Sequence, residues 1–280
     1  MATPIGNLED ITQRALRVLR EVDLIACEDT RRTRVLLNHY GIKTKTISYH
    51  EHNERERVDQ LCELLEAGPG VAIVSDAGTP LISDPGFRIV KAAIDRRIPV
   101  VPIPGPAAFV SALVASGLAS DQFFFAGFLP ARRKARRDRL EELHAIPATL
   151  IFYEAPHRLA AVLLDALEVL GDRHAVVARE LTKIHEEIAR GSLSELQKGF
   201  SVERAARGEI VLIVSGYEPA TPSLADTETN NEDAFFARLS ELETAGLNSK
   251  EALKKAAREF GLKRSEAYRL VVAQKNLRKK

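Results

Sequence analysis

Two carboxylates, two prolines and two glycines fall within Ser75-Asp76-Ala77-Gly78-Thr79-Pro80-Leu81-Ile82-Ser83-Asp84-Pro85-Gly86, directly after the apolar run Val71 to Val74. Small residues let a ligand approach the backbone, prolines fix a loop's shape, and carboxylates attract a cation or a hydroxyl-bearing ligand. A tight turn with a helix-capping Asp has the same composition, so these residues alone leave both readings open. A second loop, Pro102 to Ala108 (PIPGPAA), follows another apolar run and opens a helix whose free N–H groups can hold polar ligand atoms. Met1 to Asn7 (MATPIGN) likewise precedes a helix, giving three loops that can converge on one cleft.

Other chemistries lose their warrant. Neither GxGxxG nor GxxxxGK[ST] occurs, which removes the usual basis for a dinucleotide or NTPase site. His50-Glu51-His52 offers metal-ligating side chains without a third ligand at a recognisable spacing, and no metal is expected. Cys27 and Cys62 are the only cysteines and form no CxxC pair; they read as small buried apolar residues in a reducing, cytoplasmic setting.

The elements that must position these loops follow from periodicity. Ile11, Ala15, Val18, Leu19, Val22 and Ile25 recur at helical spacing, with Asp10 and Gln13 placed as a capping pair. Val58, Leu61, Cys62 and Leu65 make a second stripe, stopped by Gly68-Pro69-Gly70 before the strand Val71 to Val74. Phe87 to Ile94 reads as helix, Pro99 to Ile103 as strand and Ala107 to Ala115 as helix. Such alternation predicts a parallel α/β sheet. The second half repeats the pattern with strands at Thr149 to Tyr153, Ala175 to Ala178 and Ile210 to Val214, and a helix through Leu159 to Leu170. Residues 218–231 (EPATPSLADTETNN) have a linker's composition, and three short helices are expected beyond them, separated by Gly246 and Gly261.

At 280 residues and 45% hydrophobic composition, the chain can bury cores in about two domains of ordinary size. No apolar run approaches the roughly 20 residues of a membrane span. The net charge of +1 conceals an uneven distribution. Residues 250–280 hold 11 Lys or Arg against three Glu, and residues 132–139 hold six cations against Asp138. A polyanionic partner is thereby suggested, although such runs also occur as solvated helix faces.

Seven segments carry a resemblance: TPIGNLEDIT (Thr3 to Thr12), CEDTRRT (Cys27 to Thr33), SDAGTPLISDPG (Ser75 to Gly86), PGPAA (Pro104 to Ala108), GFLP (Gly127 to Pro130), FYEAPHR (Phe152 to Arg158) and ARELTK (Ala178 to Lys183). In type and order they resemble the bacterial small-subunit rRNA cytidine 2′-O-methyltransferases, a family similar in fold to the tetrapyrrole methylases. The resemblance implies an α/β fold of two tetrapyrrole-methylase-like domains, residues 1–108 and 109–217, with S-adenosylmethionine in the cleft between them. A linker over 218–231 and a C-terminal helix-turn-helix-like RNA-docking domain over 232–280 complete the expected layout. Cofactor contacts are implied at Asp76, Gly78, Thr79, Pro80, Leu81, Ala107, Ala108, Tyr153, Ala178, Arg179, Glu209 and Ile210. Relatives usually carry an apolar strand before the TPIGN segment, so a first strand ahead of Met1 is expected to be missing here.

Methyl transfer from a sulfonium to a ribose 2′-hydroxyl is an in-line displacement that needs alignment and loss of one proton. Glu154, Arg158, Glu180 and Lys183 are the catalytic candidates, with Glu28, Asp29 and Arg31 from the first half beside them; a structural salt-bridge network would use the same residues. The residues do not single out one base. Arg31, Arg132, Arg133, Lys134, Arg136, Arg137, Lys263, Arg264 and Arg269 are the expected RNA contacts. The implied partner is small-subunit rRNA, within the assembled small ribosomal subunit, and a homodimer is implied; no membrane partner is expected. A DNA-binding regulator would account for the last fifty residues and leave the loops unused, while a small acceptor would leave the basic runs without a purpose.

Overall fold

Side chains in β1 (Leu24–Cys27) alternate between two apolar layers, and this alternation organises the first half of the chain. Ile25 and Cys27 pack with Ala15, Leu19 and Leu36 from α1 (Gln13–Glu21) and α2 (Thr30–His39). Ala26 packs instead with Leu61, Cys62 and Ile89 from α3 (Glu54–Glu66) and α4 (Phe87–Asp95). β1 lies between β2 (Lys45–Ser48) and β3 (Val71–Val74), parallel to both, so helices cover both faces of a parallel sheet. Each fully buried Leu or Ile contributes about 1.5–3 kcal/mol, and these layers hold the strand ends in place. Thr12, rather than Asp10, caps α1 by accepting the Ala15 N–H at 3.1 Å; Leu8–Asp10 forms a separate 3₁₀ turn.

The computed structural model describes residues 1–200, 208–218 and 224–277. These divide into two units, Met1–Tyr217 and Glu218–Lys280, and both α/β halves lie in the first. Pro99 to Ile103, expected as a strand, carries no ladder, and Val100 and Val101 are exposed. A strand exists only against a partner. Here the bonds between β3 and Ile103 run through residues 1 and 2: the Met1 amine donates to the Ile73 carbonyl at 2.9 Å and the Ala2 N–H to the Ile103 carbonyl at 3.3 Å.

The second sheet is mixed where repetition of the first half's pattern predicts a parallel one. Its order is β4 (Phe123–Phe128), β5 (Thr149–Glu154), β8 (Ile210–Val214), β6 (His174–Arg179), β7 (Glu187–Ser192). Only β4 and β5 are parallel; β8 runs antiparallel to both β5 and β6, and β7 antiparallel to β6. The reason is connection length, since the seven residues between β6 and β7 are too few for a parallel crossover, which needs a dozen or more. β8 is buried along all five residues, as its unbroken IVLIV run requires of a central strand. One face of the sheet packs on α6 (Arg133–Leu143), α7 (Leu159–Leu170) and α8 (Leu193–Gly199). The other packs on α5 (Ala108–Ser116) and also takes up Ile5, so the first loop of the chain is built into the core of the second half.

The second unit holds α9 (Leu224–Thr244), α10 (Ser249–Glu259) and α11 (Arg264–Leu277) around Phe235, Leu242, Ala252, Ala256, Ala257 and Ala267. The expected linker 218–231 is therefore helical from Leu224 onward. Absence of an apolar period removes a packing face and not the helix, and Pro222 is the last breaker before Gly246. Asn248 caps α10 by accepting the Glu251 N–H at 3.0 Å. No helix among the described residues is long and apolar enough to cross a membrane.

Candidate functional site

Strands of a parallel sheet end together, so the loops after β1 and β3 emerge side by side. Glu28 and Asp29 leave β1; Ser75 and Asp76 leave β3. The Asp29 N–H donates to Asp76 Oδ1 at 3.0 Å and the Arg32 guanidinium lies 3.3 Å from Asp76 Oδ2, which fixes that carboxylate. The three loops singled out in the sequence meet here. Thr3 and Gly78 exchange backbone hydrogen bonds of 2.8 and 2.9 Å, and the Thr79 hydroxyl donates to the Pro106 carbonyl at 3.1 Å. Gly78 sits at φ +78°, a conformation glycine adopts without strain, and Leu81 and Ser83 take positive φ of 73° and 62° in the same loop.

The second half closes the space opposite. Tyr153 to Pro156 leave β5, while Gly208 to Val211 enter β8. Gly127 of β4 sits at a bulge with φ +65°, where an added Cβ would lie 3.3 Å from the Ser83 hydroxyl. Between them lies a cavity of about 430 Å³, walled by Ile5, Gly78, Ala107, Phe128, Tyr153, Leu181 and Ile210 among others. Glu28, Asp76, Asp84, Glu154 and Glu209 also line it, with Arg32 as the cation among the described lining residues.

Of the residues expected at the cofactor, Asp76, Gly78, Thr79, Ala107, Ala108, Tyr153, Glu209 and Ile210 line this cavity. Pro80, Leu81, Ala178 and Arg179 do not. Leu81 folds back over Gly86, Ala178 is fully buried in the core, and the Arg179 guanidinium turns to Glu187. Ile5, Glu28, Arg32, Ser83, Asp84, Phe128 and Leu181 line it without having been singled out as cofactor contacts. Several lie inside the quoted motifs, yet a motif does not say which side chains face inward.

The four catalytic candidates are occupied elsewhere. Glu154 has no exposed side-chain surface: alternation along β5 turns it to the face opposite Tyr153. Its Oε1 accepts the Ala155 N–H at 2.7 Å and lies 3.2 Å from Arg158 Nε, and burial raises its pKa against those two influences. Arg158 donates to the Leu129 and Pro130 carbonyls at 2.6 and 3.1 Å, so FYEAPHR fastens GFLP in place. Glu180 and Lys183 pair at 2.8 Å, and the Glu209 N–H donates to Glu180 Oε1 at 3.2 Å, bracing the Gly208–Glu209 edge. Asp29 caps α2 and is held by Arg31 at 2.8 Å, which lowers its pKa to about 2 and spends the Arg31 charge locally.

The expected RNA contacts divide in the same way. Arg136 is a correction: it is 5% exposed and grips Asp165 through two nitrogens at 2.6 and 2.7 Å. Arg133 reaches the same carboxylate at 2.9 Å and Arg137 pairs with Glu168. Arg132 and Lys134 are exposed, as are Lys263 and Arg269 in the second unit; the Arg264 side chain lies outside the described residues.

A family model described as "Tetrapyrrole (Corrin/Porphyrin) Methylases" matches residues 2–197. The chain belongs to the tetrapyrrole methylase family. Within it, a protein of Halalkalibacterium halodurans named "Ribosomal RNA small subunit methyltransferase I" is 47% identical over 96% of this chain and 92% of its own length. One of the same name from Mesorhizobium japonicum is 53% identical over 81% of this chain and 78% of its own. Among solved structures, uroporphyrin-III C-methyl transferase from Thermus thermophilus, complexed with S-adenyl homocysteine, aligns at TM-score 0.55 and 19% identity over 77% of this chain and 95% of that chain. Diphthine synthase aligns at TM-score 0.55 and 15% identity over 76% and 88%. Acceptors as unlike as those two names imply share the fold, so the fold does not choose the substrate.

As a methylase of this family the protein takes its methyl group from S-adenosylmethionine, and its cavity suits that cofactor. The volume lies in the usual range for a small-molecule site. A sulfonium, an amine and ribose hydroxyls call for anionic acceptors, a chemistry that the carboxylates in the lining match.

Proposed function

We propose that this methyltransferase 2′-O-methylates the ribose of a cytidine in the decoding region of 16S rRNA, on the assembled small ribosomal subunit, and acts as a homodimer. The observation that carries this reading is the near full-length similarity to proteins named as small-subunit rRNA methyltransferases, with motif residues from both halves lining one cavity. Exposed Arg132 and Lys134 next to GFLP, and Lys263 and Arg269 on the helical unit, supply cations for RNA phosphates.

In this reading the bound cofactor supplies an electrophilic methyl group. Asp76, Gly78, Thr79, Ala107 and Ala108 hold it, with Tyr153, Glu209 and Ile210 on the facing wall. Glu154 with Arg158, and Glu180 with Lys183, keep the two edges of that wall in register, an orienting contribution to an in-line displacement. Phe128, 55% exposed at the cavity rim, presents an aromatic face on which a base can stack.

The test is incubation with labelled S-adenosylmethionine and small subunits lacking the modification, followed by mapping of ribose methylation. Transfer to one decoding-region cytidine is the expected result; transfer only to a small acceptor overturns it. Charge reversal at Arg132 and Lys134 together is expected to weaken subunit binding at least tenfold in 100 mM salt. It should also flatten the plot of log K against log salt by roughly 0.7–0.9 for each phosphate no longer neutralised. Cofactor affinity, measured calorimetrically in the same variant, should stay within twofold. A parallel drop in both affinities counts against an RNA role for these two residues.

A further inference from the structure

We propose that Asp84 is the catalytic residue that accepts the proton of the acceptor hydroxyl, an assignment that rests on the methyl-transfer reading above. Of the carboxylates lining the cavity, Asp76 is fixed by Asp29 and Arg32, Glu209 lies 3.3 Å from Lys183, and Glu154, with no exposed side-chain surface, is held by the Ala155 N–H and Arg158. Glu28 and Asp84 remain, and among the described residues neither is in an ion pair.

Asp84 lines the cavity together with groups from both halves, Glu28 at the end of β1 and Asp76 at the end of β3, and Tyr153 of β5 and Glu209 at the start of β8. Arg32 of α2 is spent on Asp76. The Asp84 loop is held by the Thr79 hydroxyl on the Pro106 carbonyl, so the carboxylate is carried on a fixed support where the two halves face each other. Burial, followed by Glu28 and helped by Asp76 and Glu209, pushes its pKa up to about 6, with Ser75 pulling the other way. A base tuned close to neutral pH is the most effective kind.

The step balances. The hydroxyl oxygen forms a bond to the methyl carbon as its O–H bond breaks, and that proton moves to the Asp84 carboxylate. The carbon–sulfur bond breaks with its electron pair left on sulfur, so a sulfonium and a carboxylate become a neutral thioether and a carboxylic acid. Solvent then takes the proton from Asp84.

The experiment uses full-length wild type, Asp84→Asn and Asp84→Glu, with single-turnover methylation of unmodified small subunits from pH 5 to 9 and calorimetric cofactor binding alongside. Wild type is expected to lose about tenfold in rate per pH unit below about 6. Asp84→Asn should lose at least about 10²-fold in rate, with no acidic limb and cofactor affinity within threefold; Asp84→Glu should recover part of the rate and the limb. Thermal unfolding separates this from a structural role. A carboxylate with a raised folded-state pKa contributes stability below its unfolded value and loses it as pH rises to about 6, so Asp84→Asn should melt higher than wild type at pH 7. An active wild type beside an Asp84→Asn variant with unchanged rate and acidic limb overturns Asp84 alone. A wild type that binds cofactor and methylates no ribose on the subunit overturns the substrate reading and this assignment together.

Discussion

Replacing Asp165 with alanine is expected to destabilise the first unit by about 3–5 kcal/mol, enough to bring a domain of ordinary stability close to unfolding. Asp165 on α7 is 1% exposed and faces Arg133, Arg136 and Arg137 from α6. Burial alone would push its carboxyl up, but the hydrogen bonds from Arg133 and Arg136 outweigh burial and hold it below the usual carboxylate range. Removal leaves the guanidinium of Arg136, itself buried, without its counter-ion, and that uncompensated charge is what makes the loss large. The sign with pH follows from the depressed value: the contribution is full above the unfolded carboxylate pKa of about 4 and is lost as pH falls through the folded one. Thermal melts at pH 7 and pH 3 should therefore show a wider gap between wild type and variant at the higher pH than at the lower. Equal gaps at both would mean that packing, and not charge, is the cause. Arg139→Ala, whose guanidinium pairs with exposed Glu142, should change stability by no more than about 1 kcal/mol.

This network also shows what composition hides. Six cations in eight positions read as a surface for polyanions, but a helix turns its side chains in several directions, and three of the six, Arg133, Arg136 and Arg137, reach carboxylates on α7. Nothing in the run RRKARRDR marks Arg136 as buried; the mark lies 29 residues away, in an Asp within the apolar stripe of α7. In the first half β3 and the helices α1, α3, α4 and α5 were legible because each element's apolar face follows from its own residues; β1, whose Ile25 continues the apolar stripe of the first helix, and the partly exposed β2 were not. The mixed order of the second sheet was not, because strand direction depends on connection lengths and on which edge is free, as the short β6–β7 link illustrates. Polar β7 (EIARGS) lacks the apolar pattern that revealed β8. For the site, the loops were legible and their inward-facing members were not. Glu154 and Tyr153 are adjacent in one motif, yet strand alternation turns them to opposite faces and leaves the Glu154 side chain with no exposed surface.

Gly208→Ala is expected to weaken cofactor binding by about 10²-fold, a larger effect than its size suggests. Gly208 has φ +80°, where any side chain adds strain of about 1–3 kcal/mol. A Cβ there would also overlap the Glu180 carboxylate. Glu180 cannot yield cheaply, because its Oε1 accepts from Lys183 at 2.8 Å and from the Glu209 N–H at 3.2 Å. Displacing it frees the Glu209–Ile210 edge, and that edge is a wall of the cavity. Gly199→Ala, with no atom in reach of the added Cβ and no positive φ, is the matched control and should bind cofactor as wild type does. Strain and collision can be separated by a double-mutant cycle with Glu180→Ala. Where collision dominates, the double variant binds cofactor as well as Glu180→Ala alone, because the group to be displaced is gone. Where backbone strain dominates, the two losses add, and Glu180 then braces the wall without being the reason that position 208 must be glycine.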